Sequence, residues 1–138
     1  MANWCECELV VATNDQDWDT APARIQAFLD AVLDEKGDLD FNRIIPDPKN
    51  RDEWGTGNAV GTKADRPDPE EGNNVVITFE TKWSPPVPVI EAMAWRWPDL
   101  RFTLSFWERG MQFQGIRQYS RGELTASFDC PYDGNRGG

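Results

Sequence analysis

The sequence predicts an α+β domain: a mainly antiparallel sheet with two helices on one face. Three observations carry this expectation. Several short stretches alternate apolar and polar residues, the period of half-buried strands. Two stretches repeat apolar residues at helical spacing. The last third contains only strand patterns separated by turn residues, which reads as an antiparallel meander.

The elements follow in order. Cys5, Cys7, Leu9 and Val11 alternate with Glu6, Glu8 and Val10 on a first strand. Asp15, Asp17, Asp19 and Thr20 then offer helix N-caps, and Pro22 suits a first helical turn. Ile25, Phe28, Leu29, Val32 and Leu33 form the apolar stripe of that helix, with Gly37 as its stop. Residues 41–74 show no clear period and are rich in Pro and Gly, so they read as a long loop. Within it, Phe41, Ile44 and Ile45 are a short strand or anchor. Trp54-Gly55 is expected to fold the loop onto the sheet.

Val75, Ile77, Phe79, Thr81 and Trp83 face one way on a second strand. The run Ser84-Pro85-Pro86-Val87-Pro88 opens a second helix capped near Pro85, because Pro88 must lie in its first turn. Val89, Ile90, Met93, Ala94 and Trp97 form its apolar face, and Pro98 closes it. Phe102, Leu104 and Phe106 mark a third strand, followed by a turn at Arg109-Gly110. Met111 and Phe113 mark a fourth, with Gly115 as a bulge or close approach. After a turn at Ser120-Arg121-Gly122, Leu124, Ala126, Phe128 and Cys130 mark a fifth, ended by Pro131. This order is that of a ferredoxin-like sandwich. The 138 residues, 15.7 kDa, make one such domain with a frayed tail at about 132–138.

Composition narrows the function. The net charge of −10 argues against a sequence-independent nucleic-acid binder, so no DNA or RNA partner is expected. Residues 1–40 hold ten acids against two bases (−8), residues 41–74 seven against five (−2), and residues 75–138 seven of each. The acidity therefore belongs mostly to the first third. Histidine is absent, which removes the commonest general base and metal ligand. No apolar run suits a membrane span and the start has no secretory pattern, so a cytoplasmic location is expected. Three cysteines, Cys5, Cys7 and Cys130, fit a reducing compartment and read as small apolar side chains. No metal or cofactor is expected.

Two motifs fall short. Gly57 to Lys63 has three residues between its glycines and Thr before Lys, so it is not a phosphate loop. Arg109-Gly110-Met111-Gln112-Phe113 has part of an RNA-recognition strand signature, which Met111 and Gln112 break.

Several of these segments form a set. They are Asn3-Trp4-Cys5, Phe41-Asn42-Arg43-Ile44-Ile45-Pro46, Trp54-Gly55-Thr56, Thr81-Lys82-Trp83-Ser84-Pro85-Pro86-Val87-Pro88 and Gly110-Met111-Gln112-Phe113-Gln114-Gly115. In order and spacing the set resembles the YubB-type ferredoxin-like domain family, over about residues 3–115. Cys7 stands where that pattern carries Asn. The resemblance implies the same fold and an origin on plasmids, phages or integrated elements. The family has no assigned activity, so it implies no catalytic residue.

The leading expectation is a non-enzymatic accessory protein of a mobile element that binds a host protein with a basic surface, such as a nucleic-acid-handling defence component. Asp30, Asp34 and Glu35, off the apolar stripe of the first helix, are the candidate anionic contact face. The alternative is a small-ligand pocket or enzyme under the long loop, lined by Trp54, Thr56, Asn58 and Trp83. RNA binding on the sheet ranks third. The oligomeric state is not readable from the sequence.

Overall fold

The structure is a computed structural model that describes residues 3–14, 19–46, 53–110 and 112–131. Six strands form one antiparallel sheet: β1 (Trp4–Thr13), β2 (Val60–Asp65), β3 (Asn74–Lys82), β4 (Leu100–Glu108), β5 (Phe113–Ser120) and β6 (Glu123–Pro131). Their spatial order is β2-β3-β1-β4-β5-β6. Helix α1 (Ala21–Val32) connects β1 towards β2, and α2 (Val87–Arg96) connects β3 to β4. The first four strands and two helices thus form the ferredoxin-like unit, and the β5–β6 hairpin widens its sheet beyond β4.

Both helices pack on the same sheet face, α1 against β1 and β3, α2 against β4 and β5. The core lies between these layers. Cys5, Cys7, Leu9 and Val11 of β1 point into it, beside Val75, Ile77 and Phe79 of β3 and Phe102, Leu104 and Phe106 of β4. Phe28 of α1 meets Trp97 and Phe102 edge-on at ring distances of 5.0 and 5.6 Å. Ile25, Phe28, Leu29 and Val32 are all buried, as the helical spacing requires. Val89, Ile90, Met93 and Ala94 do the same for α2, whose cap is Pro86, one residue beyond the expected position.

Several expectations change. Helix α1 ends at Val32, well before Gly37, because Leu33 turns extended and bridges to Leu39. Gly37, at φ +84°, instead completes the tight turn over residues 34–38. Residues 41–74 are not loop throughout. They hold a 3-10 turn at Phe41–Arg43 and the exposed strand β2. The strand escaped the apolar pattern because it lies at the sheet edge and buries no side chain. Trp83 lies past the end of β3, at φ +71° and 44% exposed, not in the core. Leu124 and Phe128 alternate on β6 as expected but are exposed. Met111 and the tail at 132–138 lie outside the described residues.

Among the described residues no helix is long and apolar enough to cross a membrane.

Candidate functional site

The helices cover one face of the sheet and leave the other open. That open face receives the polar half of each alternating strand. On the central strand β1 it carries Trp4, Glu6 and Glu8. The register sets Glu6 directly opposite Glu80 of β3 and, on its other side, Trp107 of β4. Glu8 lies between Thr78 and Ser105.

Directly opposed side chains of an antiparallel pair stand about 5 Å apart at Cβ, and like charges there repel. Glu6 and Glu80 therefore concentrate negative potential at the middle of the open face. Two shallow recesses share them. One, of about 370 Å³, is lined by Asn3, Trp4, Glu6, Glu80, Glu108, Arg109 and Gly110. The other, of about 270 Å³, is lined by Glu6, Cys7, Gly61, Thr78, Phe79, Glu80 and Trp107. The Lys82 ammonium already sits 5.9 Å from the Trp4 ring centre, a cation–π contact at the rim. Glu108 is buried and accepts a 2.6 Å hydrogen bond from the Gly110 amide, which holds the turn after β4. Carboxylates with one indole ring in each recess suit an ammonium or guanidinium group.

Beneath the recesses, Cys5 and Cys7 are buried free thiols. Burial, above all, pushes the Cys7 thiol well up from its usual range, so it stays protonated and unreactive. Among the described residues no group of three or more Cys, Asp or Glu could hold a metal ion.

The residues proposed from sequence are placed differently from one another. Only Asp30 belongs to α1, where it is exposed and accepts a hydrogen bond from Gln26 Nε2 at 2.8 Å. Asp34 and Glu35 lie beyond the helix end, so the three do not form one helix face. The Asp34 carboxylate accepts from the backbone amides of Lys36 and Asp38, at 2.9 and 3.0 Å. Those bonds, the Asp38 one foremost, hold its carboxyl below the usual range. It is a turn residue. Glu35 is open to solvent and stands 3.9 Å from Arg43.

The proposed loop pocket divides the same way. Trp54 is buried, donates from Nε1 to the Ile45 carbonyl at 2.9 Å and meets Phe41 edge-on. Thr56 is buried and donates to the Lys82 carbonyl at 2.7 Å. Trp54 ties two parts of the loop to each other, and Thr56 ties the loop to the end of β3. Asn58 and Trp83 are on the surface. Of the two rejected motifs, Gly61 and Lys63 lie in strand β2, and Arg109-Gly110 is a turn.

Sequence reasoning assigned Glu6 and Glu8 to the outer side of a strand but missed the Glu6–Glu80 pair. The two are 74 positions apart, and only strand register joins them. The available signal was the alternation of acidic residues on β1 against that of Thr78 and Glu80 on β3.

Residues 63–135 match the family model described as the ferredoxin-like domain in Api92-like protein. The match runs from β2 to just past β6. No curated protein matches the sequence. Among solved structures, the crystal structure of protein api92 from Yersinia pseudotuberculosis is similar, with a TM-score of 0.64. It shares 10% identity and the alignment covers 98% of this chain and 99% of that one. The likeness at that identity concerns the fold alone. These matches support the ferredoxin-like domain read from the sequence; the YubB-type name does not occur in them.

Proposed function

The chain belongs to the family defined by the ferredoxin-like domain of Api92-like proteins, and on that premise we propose that it is a non-enzymatic accessory protein that binds a basic partner. The carrying observation is the Glu6–Glu80 pair at the centre of the uncovered sheet face, flanked by Trp4 and Trp107. A lysine or arginine side chain of the partner fits there by charge and by cation–π attraction. The net charge of −10 adds long-range steering towards such a surface. Host proteins that handle nucleic acid carry basic surfaces built for phosphate, and a defence component of that kind is the partner class in view. The YubB-type resemblance of the sequence motifs supports a mobile-element origin, and the three free-thiol cysteines of the sequence support action in a reducing compartment such as the cytoplasm.

The same carboxylates weigh against RNA on this face. A ferredoxin-like RNA binder stacks bases on aromatics of the central strands. Here β1 and β3 place the carboxylates Glu6, Glu8 and Glu80 on the strands where those stacking aromatics would stand, and their charge repels a polyanion.

The test is a low-salt pull-down from host lysate with three baits: the natural chain, Glu6→Lys/Glu80→Lys, and Asp30→Lys/Asp34→Lys/Glu35→Lys. A basic protein retained by the natural chain, eluted by salt and lost only by the first variant is the expected result. Loss only with the second variant moves the contact to the end of α1. No retained protein with any bait overturns the reading.

A further inference from the structure

The two edges of the sheet differ in kind. Edge strand β2 is short, has an irregular register between Val60 and Lys63, and exposes charged Lys63 and Asp65. These are the usual protections of a free edge. Edge strand β6 is nine residues long, contains no lysine and has no proline before its last position. Its register with β5 is regular from Ala126 to Pro131, the one shift lying at Gln118/Tyr119. Phe128 is 62% exposed and pairs across β5 with Ile116, itself 36% exposed, on the open face. No other strand pairs with the outer edge of β6 among the described residues.

We propose that β6 pairs antiparallel with β6 of a second copy of this chain, about a two-fold axis at Phe128, so that two six-stranded sheets join into one. Local charge favours this occupant. The chain as a whole carries −10, but residues 113–131 carry two arginines and two acids. Arg117 and Asp129 neutralise each other in a two-pronged ion pair of 2.6 and 2.8 Å. The hairpin is therefore a neutral patch on an anionic molecule, suited to its own copy rather than to a basic partner. The β6 sequence is also self-complementary about Phe128. Phe128 meets its own copy in a cross-strand aromatic pair. Ala126 lies opposite Cys130 and Ser127 opposite Asp129, and over residues 125–131 no like charges are opposed. Moving the axis to Ala126 would set Glu123 against Asp129 twice.

The closing experiment measures molecular mass by light scattering at about 100 µM chain, where a micromolar dimer is largely formed. It is run at about 0.05 and about 0.5 M NaCl, which straddle the range where screening takes hold. The expected result is twice the 15.7 kDa chain mass, with the dimer strengthened by salt because the two copies repel elsewhere. Phe128→Glu should return the mass to one chain, and Glu6→Lys/Glu80→Lys should keep the dimer. A single-chain mass under both conditions overturns the proposal and leaves the basic-partner reading standing. Should Phe128→Glu fail to fold, Phe128→Cys in a Cys130→Ser background replaces it. A short bis-maleimide should then give a covalent dimer, and should give none with Thr103→Cys in the same background. Equal cross-linking of the two also overturns the proposal.

Discussion

Trp54-Gly55-Thr56 shows at the scale of single residues why the loop after α1 needs this triplet. Trp54 and Thr56 are anchored to the backbone, and Gly55 between them has φ +80°. A Cβ on Gly55 would lie 2.6 Å from Pro88 Cδ. Gly55→Ala is therefore expected to cost roughly 1–3 kcal/mol, read as a lower urea midpoint. Asp34 offers a second residue-level outcome. Its folded pKa lies below the ordinary 3.8, so the fold favours the ionised form. That contribution is present above 3.8 and is lost as pH falls through the folded value. The stability gap between the natural chain and Asp34→Asn should be widest near neutrality and close in acid. A gap that is constant with pH would exclude the charged acceptor as its source.

Turn chemistry and alternation decide the outcome at the scale of elements. The hairpin β5–β6 turns at Arg121-Gly122, with φ of +55° and +82°. Both positive values mark a type I′ turn, which favours Asn at its first central position. Arg121→Asn should raise stability by about 0.5–1 kcal/mol in thermal or urea unfolding, since it relieves the left-handed strain on arginine. Gly115 in the same hairpin realises the expected close approach: a Cβ there would lie 2.5 Å from Phe106 Cζ. Strands β1, β3 and β4 were legible because one face is buried and the period of two survives intact. Strand β2 was not, because an edge strand with both faces wet has no apolar period to show.

Charge governs the whole molecule more than any one contact does. Ten net negative charges on one small domain repel each other. Raising NaCl from about 0.05 to about 0.5 M should raise the melting temperature of the isolated chain through screening. The same change should release a basic partner. An unchanged melting temperature would mean that the acids are too widely spread to matter at this scale.

The sequence by itself determined that there are two helices and which rows of β1, β3 and β4 are buried, because these follow from local period and turns; the ferredoxin-like order was read with its edge strand β2 still hidden in the loop. Tertiary structure alone decided what those elements face. Asp30, Asp34 and Glu35 are successive in sequence logic, yet α1 ends between the first and the others. Trp83 continues the β3 alternation on paper, yet a left-handed backbone turns it out to solvent. Glu6 and Glu80 have no sequence relation at all, and strand pairing makes them neighbours. Periodicity is a property of neighbours along the chain; a site is a property of neighbours across the sheet, and register is what converts one into the other.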